Sequence, residues 1–274
     1  MKRKFGICAE CLGDSPKNLE LIKKAGFEAI HTGSYTPEKV EKYKIAATEL
    51  KLDYDFIHAP FFNINSMWSD GEEYAGIFEA IKESIVSASE FEVPTVCIHV
   101  SSGWTPPAIS DIGLERFDEI VDLGLAKGVR VAIENQRLPE YLAFFMARYQ
   151  STSNVGFCYD VGHEKCFTEG TDLLSLYGDR LLCTHIHDNF GSSEDRSAKT
   201  DLHLLPFDGN IDYRPMMVSL DSCEYKGSLM LEVFKRNPFK DYARLSDERY
   251  LEQAYHSLVT MSNLISTTVD CRKT

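Results

Sequence analysis

The sequence predicts an α/β chain folded as a single (β/α)8 barrel, one domain over residues 1–274. Three observations carry this expectation. Eight apolar, β-type runs alternate with helical patterns along the whole chain. Eight such units in 274 residues match the size of a closed barrel better than an open sheet. Metal-ligand residues also recur at the C-terminal ends of the runs. Ligands at the ends of many successive strands make sense if the strands converge, and a closed parallel barrel brings them to one face.

The elements follow in order. The run 5–9 is the first strand. The basic start MKRK leads into no long apolar region and no small-residue cleavage site, so it does not read as a signal peptide. Asp14-Ser15-Pro16 offers N-cap candidates and an early proline for a helix over 16–25. Gly26 and Gly128 sit just before strands, where helix C-terminal glycines belong. The remaining strands are placed at 27–31, 54–58, 95–100, 129–134, 155–160, 181–186 and 228–233. The intervening helices are placed at 37–50, 74–90, 113–126, 139–148, 173–177 and 213–220, with a last one at 247–265. This alternation favours a parallel sheet with right-handed crossovers. Loops after strands are long and polar and connections into strands are short, which marks the strand C-terminal ends as the functional face. No interdomain linker, low-complexity tract or repeat is visible.

Composition narrows the function classes. Hydrophobic residues make up 43% of the chain, enough for a sizeable core, and 26% charged residues exclude wholesale disorder. No apolar stretch approaches the roughly 20 residues needed to span a bilayer. The net charge of −13, from 29 basic and 42 acidic residues, disfavours non-specific binding to nucleic acid or anionic membrane. Eight cysteines in a chain without an export signal imply reduced thiols and a cytoplasmic location. Cys8 and Cys11 form a lone C-x-x-C, read as two ordinary cysteines at a strand end with a redox or metal role as the alternative. A homo-oligomer is compatible with all of this.

Nine residues carry the chemistry. His58, His99, Glu134, Asp160, His163, His185 and Glu232 end apolar runs or open the loops after them; Asp201 and His203 follow in a polar segment. Five imidazoles and four carboxylates suit zinc, manganese or iron. One ion uses about four to six ligands, so nine point to more than one. A carboxylate ending a buried run, as Glu134 and Glu232 do, is costly unless paired or coordinated; a salt bridge to Arg137 or to a barrel lysine is the alternative for Glu134. In D-V-G-H, Asp160 ends the strand, Gly162 permits a tight turn, and His163 follows. In H-I-H-D-N, His185 and His187 share a strand face. His187 is then a donor to a ligand, a substrate contact or an alternative ligand. Asp201 and His203 lie on one side of D-L-H if it is extended.

These motifs, namely AIEN, YDVGH, HIHDN and LMLE, resemble the xylose isomerase-like TIM barrels, the superfamily of endonuclease IV and many sugar isomerases and epimerases. The resemblance runs from about residue 5 to 233. It implies that Glu134, Asp160, His185 and Glu232 hold one divalent ion, as in the sugar enzymes. His58, His99, His163, Asp201 and His203 fall where endonuclease IV completes a three-zinc cluster, and DLHLLPFDGNID is similar to its D-x-H segment. The cofactor expected is therefore zinc or manganese, one to three ions. The loops HAPFFNINSMWSDGEE and HVSSGWTPPAISDI contain no Lys or Arg, unlike the DNA-penetrating loops of endonuclease IV.

Two chemistries follow. One is a sugar or sugar-phosphate isomerase or epimerase, in which Glu134 and Glu232 flank the substrate and a carboxylate moves a proton through an enediolate. Phe61, Trp68 and Trp104 would wall the pocket, with ordinary loop packing the alternative for each, and His187 would touch substrate. Arg137, Lys235 and Arg236 would meet a phosphate, a solvated charge run being the alternative for the last two. The other is an endonuclease IV-like multinuclear zinc phosphodiesterase. The first is preferred, with a small carbohydrate as substrate.

Overall fold

The computed structural model describes residues 2–195 and 199–265. Eight strands alternate with helices: β1 (Phe5–Cys8), β2 (Ala29–Thr32), β3 (Asp53–His58), β4 (Thr95–Ile98), β5 (Arg130–Glu134), β6 (Val155–Asp160), β7 (Leu181–His185) and β8 (Leu229–Leu231). They form one parallel sheet in the order β7-β6-β5-β4-β3-β2-β1-β8. A parallel bridge between Ile186 and Leu231 closes it. There Ile186 N–H donates to the Met230 carbonyl (2.8 Å) and Glu232 N–H to the Ile186 carbonyl (3.0 Å). The expected (β/α)8 barrel is the observed fold.

The helices outside the barrel among the described residues are α1 (Leu19–Ala25), α2 (Pro37–Leu50), α3 (Ala75–Glu90), α4 (Asp111–Lys127), α5 (Pro139–Arg148), α6 (Val161–Phe167), α7 (Leu173–Tyr177), α8 (Tyr213–Ser222) and α9 (Asp247–Asn263). None is long and apolar enough to cross a membrane. Each buries one face against the barrel: in α3, for example, Ile77, Phe78, Ile81, Ile85 and Ala88 recur at helical spacing and are all buried. The C-terminal end of the helix expected at 247–265 falls short, at Asn263.

One element departs from the sequence reading. The segment after β6 is not a tight turn but the helix α6, capped by the Asp160 carboxylate, which accepts from His163 N–H at 2.7 Å. Gly162 lies in its first turn, where a Cβ would stand 2.0 Å from the His187 ring. The glycine is needed for close approach rather than for a bend. Seven residues containing a glycine carry too little periodicity to reveal this helix.

Side chains alternate along a strand, so residue i−2 shares the inner face with residue i. The barrel interior shows this directly. A compact inner cluster of Ala29, Phe56, Cys97, Ala132, Cys158, Cys183 and Met230 is buried. Each lies two residues before His31, His58, His99, Glu134, Asp160, His185 or Glu232. The inner cluster is therefore the floor on which the polar residues of the C-terminal mouth stand.

Candidate metal centre

His58, Glu134, Asp160 and His185 are the last residues of β3, β5, β6 and β7, while His99 and Glu232 follow β4 and β8 by one residue. Glu134, 1% exposed, is central. Its Oε1 lies 2.8 Å from His185 Nδ1, and its Oε2 lies 2.7 Å from His99 Nε2 and 3.3 Å from His58 Nε2. Around Asp201, Oδ2 is 3.2 Å from His163 Nε2 and Oδ1 is 3.4 Å from His203 Nε2. Glu232 joins the two groups, with Oε2 3.5 Å from His185 Nδ1 and 3.8 Å from His203 Nδ1. All nine residues singled out in the sequence thus fall in one cluster. D-L-H achieves this without being extended, because His203 has a positive φ of 47°.

Backbone carbonyls orient three of the imidazoles. Nδ1–H donates to the Ala59 carbonyl from His58 (2.8 Å), to the Asn135 carbonyl from His163 (3.0 Å) and to the Glu232 carbonyl from His203 (2.9 Å). Each Nε2 is left facing carboxylates, the arrangement that metal-ligating histidines use. The Asn135 side chain clasps the Asp160 backbone on both sides, at 2.8 Å each, and so fixes the end of β6. Gln136 Nε2 lies 3.1 Å from His99. Neither amide stood out in the sequence, because Asn135 acts on the backbone of β6 and Gln136 on the candidate ligand imidazoles, and neither is itself a ligand type.

His187 fits its readings as a donor to a ligand and as an alternative ligand, since ligand atoms of Asp160, His163 and His187 fall within 4.8 Å of one another. It is fully buried, which is the correction to its reading as a substrate contact. Asn189 Oδ1 accepts from Leu202 N–H at 2.5 Å, so the Asn189 amide turns its N–H toward His187 Nδ1 (3.4 Å). His187 therefore carries its proton on Nε2 and donates to Asp160 at 3.1 Å. The loop carrying Asp201 and His203 is held beside it: Asp188 accepts from the N–H groups of Phe207 (2.7 Å) and Ile211 (3.1 Å).

His31 was missed. It ends the inner face of β2, is 1% exposed, and its ring centroid is 5.1 Å from that of His185. A ligand atom from each of His31, His185 and Glu232 falls within 4.8 Å of the others. The run EAIH ends as DFIH and VCIH do, so the same positional rule applied to the second strand finds it.

The carboxylates and imidazoles shift one another strongly. Burial pushes the Glu134 carboxyl up, yet the His185 and His99 imidazoles hold it well below the usual carboxylate range. Asp201 is likewise raised by burial but held well below its usual value by His203 and His163. Burial pulls His185 and His203 down, while Glu232 and Glu134 lift the first, and Asp201 the second, to about 10. His31 moves the other way, well below its ordinary value, through burial and the neighbouring His185 and His58. The donors fit a divalent ion. Oxygen and nitrogen atoms 2.7 to 3.9 Å apart suit ligation at about 2.0–2.2 Å. His99 Nδ1 and His185 Nε2 are also buried without a hydrogen-bond partner.

The proposed walls sort differently. Trp68 is a correction: it is 3% exposed, donates to the Val100 carbonyl at 2.7 Å and packs on Phe117, Tyr141 and Phe145. It belongs to the packing behind the barrel, not to the mouth. Phe61, 46% exposed, stacks on His99 at 4.2 Å. Trp104 meets Phe167 edge-on at 5.6 Å, Arg137 lies 4.3 Å over the same ring, and Phe167 lies 5.3 Å from His163. Phe167 was another omission. Lys235 pairs with Asp247 at 2.6 Å, Arg236 is exposed, and Cys8 and Cys11 are buried free thiols.

A barrel with this mouth defines a class, and the chain belongs to the xylose isomerase-like TIM barrel family, whose model matches residues 19–257. It is 25% identical over 297 residues to the uncharacterized protein y4fM of Sinorhizobium fredii, covering 92% of this chain and 90% of that one. Among solved structures, it is similar to the IOLI protein with a binding zinc atom (TM-score 0.74, 17% identity, 95% of this chain and 98% of that one). It is also similar to a D-tagatose 3-epimerase-like protein (TM-score 0.70, 21% identity, 94% of this chain and 98% of that one).

Proposed function

We propose that this protein is a divalent-metal-dependent isomerase or epimerase of a sugar or sugar phosphate, acting by proton transfer through an enediolate. The observation that carries the reading is the pairing of Glu134 and Glu232 across His185 Nδ1, at 2.8 and 3.5 Å, with unequal exposure of 1% and 14%. Glu134, Asp160, His185 and Glu232 would hold the ion. When bound, it would supply chelation of adjacent substrate oxygens and stabilisation of enediolate charge.

The chain's own residues do the rest. Both Glu134 oxygens are engaged by imidazoles, so Glu134 fixes the centre from the floor. Glu232 is the more open carboxylate and takes the carbon-bound proton. Phe61 on one side, and Trp104, Phe167 and Arg137 on the other, exclude water and hold the carbon chain. Sugar epimerases among proteins of similar fold, such as the D-tagatose 3-epimerase-like protein, agree with this reading. The test is deuterium incorporation from heavy water across a panel of ketoses, with and without manganese or zinc. Metal-dependent exchange is expected. No exchange, together with metal-dependent cleavage of a model phosphodiester, would reject it.

A second reading has its own observation: all nine ligand-type residues gather in one cluster. Four carboxylates against three divalent ions leave a local charge of about +2, suited to a phosphoester. Elemental analysis with crystallographic metal positions separates the two. One ion on Glu134, Asp160, His185 and Glu232 favours the isomerase; three ions over all nine favour phosphoester hydrolysis.

A further inference from the structure

We propose that the floor of the barrel is a second, soft-metal site directly beneath the first, in which the thiols of Cys97, Cys158 and Cys183 take one thiophilic d10 cation of the zinc, cadmium or monovalent copper class. The three Sγ atoms lie within 4.8 Å of one another. Three thiolates around one ion at a metal–sulfur distance of about 2.3 Å sit about 4 Å apart, so a small inward shift completes the site. The placement follows from strand register. Cys158 and Cys183 are direct partners between β6 and β7, and Cys97 projects from β4 into the same inner cluster. Met230 shares that cluster and adds a polarisable thioether.

Donor chemistry selects the ion. Sulfur ligands favour soft cations, whereas the nitrogen and oxygen donors above suit harder ones. Binding is balanced by proton release: three S–H bonds break, three metal–sulfur bonds form, and three protons pass to solvent. The thiols stand directly under the polar mouth, with Cys158 Sγ 3.8 Å from His185 Nδ1 and Cys97 Sγ 3.9 Å from Glu134 Oε2.

An entry path exists that avoids the proposed sugar site. A cavity of about 530 Å3 opens at the N-terminal ends of the strands, the opposite end of the barrel, and Phe56, Leu182, Cys183 and Met230 form part of its lining. Cys183 is 4% exposed there, while Cys97 and Cys158 are fully enclosed. The ion would enter past Cys183.

The experiment uses reduced, manganese-loaded protein under anaerobic conditions in a Cys223→Ser background, because Cys223 lines the same cavity. Cadmium is titrated, and the thiolate-to-cadmium charge-transfer band is read alongside bound cadmium from equilibrium dialysis. One equivalent with a band is expected, weakened about tenfold or more by Cys183→Ala. Cys183→Ser serves if the alanine variant folds poorly. Cadmium bound without the band would place it on the carboxylate centre and overturn the proposal. So would a band unchanged in both Cys183→Ala and Cys158→Ala. Neither outcome depends on ketose exchange, so this proposal and the proposed reaction stand or fall separately.

Discussion

His187→Ala should weaken metal binding without removing a ligand. The imidazole is fully buried, its proton is assigned to Nε2 by Asn189, and that proton goes to Asp160 at 3.1 Å. Residues that orient a metal ligand are typically worth about 10–100-fold in affinity, which is about 1.4–2.8 kcal/mol. The hydrogen bond to a charged group should cost about 1.5–3 kcal/mol of stability in the metal-free protein as well. The assay is competition with a chromophoric chelator at neutral pH, with thermal unfolding of the metal-free protein measured in parallel. A double-mutant cycle with Asp160→Asn isolates the coupling, and the two losses should be far from additive. Affinity unchanged within twofold in a folded variant would refute the reasoning. So would a loss as large as that from Asp160→Asn together with additivity, because His187 would then act as a ligand in its own right.

Three further outcomes are expected. Glu134→Gln should lose most bound metal by elemental analysis, since one carboxylate contacts His185, His99 and His58; unchanged metal content would count against the centre. In metal-free protein, the folded-state values of about 10 for His185 and His203 exceed the ordinary 6.5. Their stabilisation is therefore full below pH about 6.5 and lost as pH rises toward 10, so the melting temperature should fall over that window. Duplex DNA, including abasic duplex, should bind weakly at physiological salt, because the chain carries −13 net charge and the loops after β3 and β4 contain no Lys or Arg over 59–73 and 99–110; a tight, strongly salt-dependent complex would contradict this.

What could be read from the sequence was whatever depends on strand ends. The alternation of apolar runs with helical patterns placed the barrel, and the His, Asp and Glu residues at the run ends placed seven of the nine ligand-type residues, because a strand end has one position relative to its neighbours; Asp201 and His203 came from the D-L-H segment. What could not be read depends on contacts between segments. Trp68 lies in a polar-looking loop, yet its indole turns into the packing behind α4 and α5. The helix α6 exists because Asp160 caps it, and no local pattern announces that. The tautomer of His187 depends on Leu202 N–H, across a loop, through Asn189. His31 is a different kind of omission, since the positional signal was present on the second strand and the neighbouring motif was not.

The nine ligand-type residues are not mechanically equivalent, and this leads to a last prediction. Glu134, Asp160 and His185 are strand residues with at most 1% exposure, set by the ladder itself. Asp201 and His203 stand on a loop, each side chain 24% exposed, and His203 has a positive φ of 47°. Sites on regular elements are held more precisely than sites on loops. Strand-borne donors should therefore bind ion in a tight class, and the Asp201–His203 pair should contribute to a weaker class that must also order its loop. Zinc titration by calorimetry should resolve the two, and Asp201→Asn should abolish the weaker class while leaving the tighter one within about threefold. Loss of both classes in that variant would mean that the loop pair and the strand residues form a single indivisible centre. The separation between strand-built and loop-built donors would then have no energetic meaning.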